Sequence, residues 1–192
     1  MSLREQKKKR TREAIIEAAR KLFAEKGYEE TRTREIAEAA GIATGTLFNY
    51  APTKSDVVLL LWKARAAELA KNGLALARQQ EDEVEALVVV FGPIFDFYAE
   101  DIELGRIFLQ QAIYASKDDP EMAALNEGFI ASLAVLLMPR AGMGAALAAS
   151  NVFGAYYLTL TMLLAGRLST SQDACAVFRE LVRAQASGWG AG

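Results

Sequence analysis

The sequence contains no histidine and only one cysteine, Cys175, among its 192 residues. Histidine is the commonest general base and a frequent metal ligand, and a single cysteine cannot form an internal disulfide. These absences exclude thiol–imidazole and Ser-His-Asp catalysis and ordinary zinc sites. We therefore predict no enzyme, no metal and no cofactor, with a carboxylate-based enzyme as the remaining alternative. Cys175 is interpreted as a small apolar side chain, with pairing between two copies of the chain as the alternative.

Net charge is also small, at −2, which alone argues against a nucleic-acid partner. The charges are unevenly distributed, however. Residues 1–54 contain 12 Lys and Arg against 8 Asp and Glu, whereas residues 55–192 contain 10 against 16. This asymmetry is expected if only the first segment meets phosphate groups. We therefore predict two domains, residues 1–54 and residues 55–192, in a protein of the reducing cytoplasm.

Strand patterns are lacking, and apolar residues recur at helical spacing through most of the chain. We predict an all-α fold of about nine helices, at residues 10–26, 33–40, 44–50, 55–78, 84–99, 104–115, 120–138, 141–165 and 171–186. Ser55 is predicted to cap the fourth helix, and Ser169 with Gln172 to cap the ninth. The VVVF motif in the fifth helix could alone be a strand, but the spacing of Phe91 and Phe95 favours a kinked helix.

Charge is absent from the 26 residues that run from Ala141 to Gly166. Such a run is long enough to span a bilayer, which is the alternative interpretation. Its glycines and polar residues, and a first half of alanine rather than leucine, favour a helix buried in a soluble oligomer. We therefore predict no membrane partner.

Residues 33–54 have the spacing of a helix-turn-helix, with Gly41 at the turn between two short helices. The apolar residues of this segment are predicted to pack inward, namely Ile36, Ile42 and Leu47. The second helix then exposes polar side chains that suit base edges in a major groove and phosphates beside it. An ordinary helical hairpin in a bundle is the alternative. The predicted DNA-binding residues are Arg32, Thr33, Thr44, Gly45, Thr46, Asn49, Tyr50 and Lys54.

A basic run, KKKR at residues 7–10, precedes this segment. It could reach neighbouring phosphates or a minor groove. A solvated, disordered tail is the alternative.

The sequence of residues 11–56, TREAIIEAARKLFAEKGYEETRTREIAEAAGIATGTLFNYAPTKSD, resembles the DNA-binding head of the tetracycline-repressor (TetR) family. The shared pattern is an apolar helix followed by LF, G-Y, IA, AG, G-T-L, Y and P-x-K. The resemblance implies a nine-helix homodimer whose first three helices bind a palindromic operator in double-stranded DNA. It also implies repression as the common mode. Ala43 and Arg32 depart from the pattern, since both stand where a serine or threonine usually caps a helix.

The remaining helices are implied to bind an effector and to form the dimer. Aromatic residues on mostly apolar helices, with a few polar residues among them, predict a pocket for a small hydrophobic effector. The pocket candidates are Trp62, Phe91, Phe95, Asp96, Phe108, Gln111, Tyr114, Asn126, Phe129 and Tyr156. A DNA-binding or interaction protein with no small effector is the alternative.

The last two helices are expected to pair across a two-fold axis as a four-helix bundle. Their predicted interface residues are Ala145, Ala148, Ala149, Val152, Val177, Phe178, Leu181 and Val182. Burial of both faces inside one subunit is the alternative.

Overall fold

The computed structural model describes residues 2–115 and 119–188. Over these residues the chain forms nine α-helices and one short 3-10 turn without any β-strand, which confirms the all-α prediction. The helices are α1 Leu3–Glu30, α2 Thr33–Ala39, α3 Thr44–Phe48, α4 Lys54–Ala77, α5 Glu83–Glu100, α6 Ile102–Ala115, α7 Pro120–Ala141, α8 Ala145–Leu164 and α9 Ser171–Ala186.

Helix α1 begins earlier than its apolar pattern predicts. Ser2 caps it, because the Ser2 Oγ accepts from the Glu5 N–H (3.2 Å) while the Glu5 carboxylate accepts from the Ser2 N–H (2.6 Å). The basic run at residues 7–10 is therefore helical, and the alternative of a disordered tail is wrong. The helical path is interrupted at Gly27, whose φ of +78° ends the predicted helix at the expected residue.

Two predicted helix caps are displaced in the structure. Helix α4 is capped by Thr53 rather than Ser55, because the Thr53 Oγ1 accepts from the Asp56 N–H and the Asp56 carboxylate accepts from the Thr53 N–H. Helix α9 is capped in the same way by Thr170 with Asp173, not by Ser169 with Gln172. An ionised aspartate accepts hydrogen bonds more strongly than an amide or a hydroxyl, which favours these positions.

The apolar stretch Pro120–Leu164 contains a window with a mean hydropathy of 1.6, enough for a membrane span by length and composition. In the structure this stretch forms the two helices α7 and α8. They are joined by the 3-10 turn Gly142–Gly144 and pack against each other. Gly142 has a φ of +50° and ends α7, so α8 begins at Ala145 rather than at the predicted Ala141. Helix α5 is continuous through Pro93, so its VVVF motif is helical.

The chain divides into two compact units. The head unit comprises Met1–Arg65 and Arg106–Tyr114. Its buried side chains include Ile15, Phe23, Ile36, Leu47 and Trp62. Trp62 stacks on Phe108 with 5.3 Å between the ring centroids, which explains why a piece of α6 belongs to this unit. The head unit thus extends beyond the predicted boundary at residue 54, and a functional division at that residue stays a prediction.

The body unit comprises Ala66–Gly105 and Ala115–Gly192. Helices α5, α8 and α9 pack together, with α7 against α8. Arg179 of α9 holds Glu85 of α5 by two hydrogen bonds of 2.7 and 3.1 Å, and this pairing lowers the pKa of Glu85 below its ordinary value. Helix α4 approaches α5 so closely that a Cβ at Gly73 would lie 2.8 Å from the Val90 Cα. Only glycine therefore permits this approach of two helix backbones.

Candidate nucleic-acid interface and aromatic cluster

The turn between α2 and α3 is closed by two backbone hydrogen bonds. The Gly41 N–H donates to the Glu38 carbonyl (3.0 Å), and the Ile42 N–H donates to the Ala37 carbonyl (2.9 Å). Gly41 has a φ of +67°, the left-handed conformation that this type of helix ending requires. The predicted turn at Gly41 is confirmed, and the two helices have the connection of a helix-turn-helix.

Helix α3 is fixed to the head unit by one apolar side chain. Leu47 is 0% exposed, as is Ile36 of α2, so the predicted inward direction of both residues is confirmed. Successive residues of a helix are rotated by about 100°, so Gly45 and Asn49 point almost directly away from Leu47. Thr46 and Phe48 flank them. Asn49 of the predicted polar face is exposed, whereas Thr44, Thr46 and Tyr50 are half-buried, so its role in DNA binding stays a prediction.

Phe48 is a candidate DNA-binding residue that the sequence analysis missed. It is 45% exposed and lies beside Asn49 on the outer face of α3. An apolar side chain in a major groove can pack on the methyl group of thymine. The sequence could have indicated its exposure, because Phe48 directly follows the inward Leu47 and its side chain is rotated by about 100° from it.

The ends of α2 and α3 are held in different ways. Ala43 precedes α3 without any side-chain cap, as expected from its methyl group. At α2, the Glu35 carboxylate accepts from the Arg32 N–H (3.0 Å) and from Lys26 Nζ (2.6 Å). Lys26 and the Arg32 N–H hold the pKa of Glu35 below its ordinary value. Arg32 is exposed and Thr33 is half-buried at the start of α2, beside this pair.

Lys54 is bound within the head unit in this structure. Its ammonium donates to the carbonyls of Tyr28 (2.7 Å) and Glu29 (3.0 Å) at the end of α1 and lies 4.2 Å from the centre of the Tyr28 ring. Lys54 thus joins the start of α4 to the end of α1. Binding of Lys54 to a phosphate, as predicted, would compete with these hydrogen bonds.

The chain segment that contains α3 has no charge of its own. No charged residue occurs from residue 39 to residue 53, between Glu38 and Lys54. Affinity for phosphates must therefore come from cations outside α3, whereas α3 offers hydroxyl, amide and aromatic groups.

The body unit contains a cluster of aromatic rings, all buried except the half-buried Phe129. Phe91 lies 4.9 Å from both Tyr156 and Phe178 and 5.5 Å from Phe129, measured between ring centroids. Phe95 lies 5.8 Å from Tyr156 and 5.7 Å from Phe178. These five residues are referred to below as the aromatic cluster. At such separations the rings touch directly.

A pair of tyrosine hydroxyls supplies the polar group of this region. Tyr98, which the sequence analysis did not select, is hydrogen-bonded to Tyr156 through the side chains. Burial raises the pKa of both phenols well above the ordinary value, so both hydroxyls stay protonated. Neutral hydroxyls can donate to the carbonyl of an otherwise apolar molecule.

Several predicted pocket residues are not part of the cluster. Trp62, Phe108 and Gln111 belong to the head unit. Asp96 is exposed, because it follows the inward Phe95 by one residue and its side chain points about 100° away. Asn126 is half-buried on α7, and the side chain of Tyr114 lies outside the described residues. The structure thus brings together Phe91, Phe95, Phe129 and Tyr156.

Part of the head unit matches a known protein family. Residues 15–61 match the family model described as bacterial regulatory proteins, tetR family. These residues include the buried face of α1, the turn at Gly41 and all of α3. Residues 15–61 of this chain belong to the TetR family of regulatory domains.

Two named regulators are similar to part of this chain. The fatty acid metabolism regulator protein of Bacillus subtilis is 29% identical over 93 residues, which are 48% of each chain. The HTH-type transcriptional repressor AcnR of Corynebacterium glutamicum is 38% identical over 68 residues, 33% of this chain and 36% of that protein. The matched segments thus span about half or less of these relatives.

A solved structure covers more of the chain. The TetR-family repressor FadR of Thermus thermophilus, in complex with lauroyl-CoA, superposes with a TM-score of 0.65 and 26% identity. The superposition covers 90% of this chain and 91% of that one.

Most of the residues predicted for the TetR-type dimer are buried inside the single chain. Ala145, Ala148, Ala149 and Val152 of α8 and Phe178 and Val182 of α9 are buried, and Val177 and Leu181 are half-buried. The prediction that these residues form a surface is wrong for the six buried ones, because α5, α8 and α9 pack on one another through them. The exposed side of α8 instead carries Leu147, Asn151, Gly154, Leu158 and Thr161.

Removal of the Lys54 ammonium tests the interactions of Lys54 with Tyr28 and Glu29 within the head unit. We expect Lys54→Met to lower the free energy of unfolding by about 1–3 kcal/mol, because the variant cannot form the charge-assisted hydrogen bonds to two carbonyls or the cation–π interaction with Tyr28. Urea denaturation measures the change. Lys71→Met is the control, since Lys71 is exposed on the same helix. Equal unfolding free energies for the two variants would contradict the assigned interactions.

Proposed function

We propose that this TetR-family protein is a cytoplasmic transcriptional repressor that binds a palindromic operator as a homodimer and leaves it when an acyl effector binds. The observation that carries the proposal is the outer face of α3, where the exposed Asn49 stands opposite the buried Leu47 and is flanked by Thr46 and Phe48. The match of residues 15–61 to the family model supports the same assignment.

Helix α3 is assigned to the major groove. Asn49 suits the N6 and N7 edge of adenine, Thr46 suits bases of either type, and Phe48 suits a thymine methyl group. Gly45 has no atom within 4 Å of an added Cβ, so its side of α3 is open for a close approach of the DNA. Arg32, Thr33, Thr44 and Tyr50 border this face and are assigned to phosphates.

The effector is assigned to the aromatic cluster. Phe91, Phe95 and Phe178 offer apolar surface for an alkyl chain, and the hydroxyls of Tyr98 and Tyr156 suit a thioester carbonyl. The relatives support this chemical class, since one is named for fatty acid metabolism and another was solved with lauroyl-CoA. Because the rings touch each other, an acyl chain must separate them in order to bind.

The dimer is assigned to the exposed face of α8. Leu147, Gly154 and Leu158 lie along one side of a helix that has no charged residue. Glycine and alanine permit close helix approach, and the two leucines supply apolar surface. A two-fold axis along this face would give the self-complementary interface of a symmetric dimer.

Helix α4 is assigned to couple the effector to DNA. It is one continuous helix from Lys54 to Ala77. Near its end Gly73 touches the backbone of Val90, the residue before Phe91 of the aromatic cluster. At its start Lys54 binds the last carbonyls of α1. Displacement of Phe91 would therefore act on the same helix that is tied to the head, and by linkage DNA and effector weaken each other equally.

Fluorescence anisotropy of labelled duplexes tests the function. We expect the protein to prefer the duplex from its own gene's upstream region over a scrambled duplex at two salt concentrations, because binding to bases survives salt better than binding to phosphates. Lauroyl-CoA should then release the bound duplex, and CoA without an acyl chain is the control.

Two outcomes separate the parts of this proposal. Equal affinity for both duplexes, abolished on addition of salt, would contradict operator recognition. Preference for the upstream duplex without any release by lauroyl-CoA would contradict the acyl effector and favour a regulator that needs no effector. The close packing of the rings within the aromatic cluster supports that second candidate.

Substitution of a charged residue on the exposed face of α8 tests the assigned dimer interface. Leu158→Arg should convert the dimer to a monomer, because it buries an unpaired charge in the assigned interface. Leu76→Arg is the matched control, since Leu76 and Leu158 are both 52% exposed. Size-exclusion chromatography with light scattering gives the molecular mass. A dimeric Leu158→Arg variant would show that the interface lies elsewhere.

A further inference from the structure

The aromatic cluster approaches the surface of the body unit at one ring. Phe91, Phe95, Tyr156 and Phe178 are buried, whereas Phe129 of α7 is half-buried. Four of the five rings are thus shielded from solvent, and the fifth is in contact with it. A molecule that separates these rings from outside would therefore meet Phe129 before it meets the others.

A second ring contacts Phe129 across the seam between α7 and α8. The ring centroid of Phe153 lies 6.0 Å from that of Phe129, edge to face at 74°, and 5.7 Å from that of Tyr156. Phe153 is half-buried like Phe129. It is rotated by about 100° from Gly154, so it lies beside the assigned dimer face rather than on it. Phe129 and Phe153, referred to below as the ring pair, thus stand between solvent and the aromatic cluster.

Helix α7 is held to the body unit less firmly than the other helices that carry these rings. Its buried side chains are Met122, Leu133 and Leu137, whereas the shorter α5 has nine buried residues. Helix α9 also has few, but it packs on both α5 and α8, and Arg179 joins it to Glu85. The main neighbour of α7 is α8 alone. Since helices with few buried contacts open at a lower free energy, α7 can move with the smallest loss of packing.

The second half of α7 is anchored better than the first. Leu133 and Leu137 are both 0% exposed, and Arg140 at the end of the helix is paired with Glu83 of α5 at 3.0 Å. In the first half, Met122 is the one fully buried side chain. An outward movement of α7 would therefore begin in its first half, which ends near Phe129.

A weak point of α7 lies directly before Phe129. Gly128 is exposed, and a Cβ added there would have no atom within 4 Å, so close packing does not require a glycine. Glycine weakens the interior of a helix. The Gly128 carbonyl also accepts from Ser132 Oγ (2.8 Å), and such a hydrogen bond from a serine four residues later often bends a helix. The junction between the two halves of α7 is therefore next to the ring pair.

We propose that the ring pair is the entrance gate for the acyl effector, and that α7 bends at Gly128 to open it. The second half of α7 stays on the body unit while the first half moves outward with Phe129. An alkyl chain then passes between α7 and α8 into the aromatic cluster. This inference rests on the proposed function, from which it takes the acyl effector and its binding site.

Two adjacent substitutions should change the gate in opposite directions. Gly128→Ala stiffens the bend without a clash, so the rates of effector association and dissociation should both fall, by up to about fivefold. A gate acts on passage in both directions, so Kd should be unchanged. Phe129→Ala removes one ring of the pair, and both rates should rise. Leu125→Ala is the control for this truncation, because Leu125 lies one turn earlier on α7 and is 37% exposed. It should keep the rates of the wild type.

Stopped-flow fluorescence with parinaroyl-CoA measures both rates, because the conjugated chain of this acyl-CoA fluoresces in apolar surroundings. Far-UV circular dichroism checks the fold, and Gly128→Ala should fold even where Phe129→Ala does not, since alanine is the better helix former. Unchanged rates for Gly128→Ala would overturn the inference. A change in only one of its two rates would also overturn it, because Gly128 would then act on the bound effector. Equal effects of Leu125→Ala and Phe129→Ala would do the same.

Hydrogen exchange of the free protein separates the gate from the proposed function. We expect peptides that cover residues 121–132 to exchange faster than peptides that cover residues 86–98, and Gly128→Ala to slow the former. Equally slow exchange of the two segments would overturn the gate even if parinaroyl-CoA binds. A wild type that does not bind parinaroyl-CoA would contradict the acyl effector and an entrance for it, while exchange would still decide whether α7 opens at Gly128.

Discussion

Burial of Leu47 is the interaction on which the presentation of α3 depends. The helix has five residues, far fewer than an isolated helix needs in water, and Ala43 gives it no side-chain cap. Its orientation must therefore come from packing. Burial of a leucine side chain contributes about 1.5–3 kcal/mol, and Leu47 makes this contribution against the same core as Ile36. The buried Leu47 therefore sets the orientation of the outward residues of α3.

The surrounding structure limits how α3 can move. The Gly41 turn fixes the residues before it, and Pro52 with the Thr53 cap fixes the start of the next helix. Lys54 then ties that start to the end of α1. These interactions hold α3 from both ends and leave its outer face open, which is what a surface for base edges requires. The chain segment from residue 39 to residue 53, which contains this face, carries no charge.

Much of the head could be predicted from the sequence because its signals are local. The glycine turn, the inward Leu47 and the exposed Asn49 follow from spacing within a few residues, and the structure has each of them. The caps at Thr53 and Thr170 were missed because neighbouring serines offer nearly equal hydrogen bonds, and only the position of the aspartate decides between them. Lys54 was interpreted as a phosphate ligand because its bond to Tyr28 joins residues far apart in sequence.

The body could be predicted less well because its helices pack against partners that are distant in sequence. An apolar stripe shows that a helix is buried, but it does not show what covers it. Phe178 was therefore assigned to a dimer surface, although it lies 4.9 Å from Phe91 inside the subunit. For the same reason the exposure of Leu158 was not predicted, because an exposed leucine on an apolar helix cannot be distinguished from a core leucine by composition alone.

Hydrogen exchange of the backbone amides, followed by mass spectrometry, tests whether α3 binds the operator and whether the aromatic cluster binds the effector. The protein is measured alone, with the upstream duplex, and with that duplex after addition of lauroyl-CoA. We expect the duplex to protect peptides that cover residues 43–50, and we expect lauroyl-CoA to remove this protection while it protects residues 86–98 of α5. Protection by the duplex outside the head unit, with residues 43–50 unchanged, would contradict the assignment of operator binding to α3.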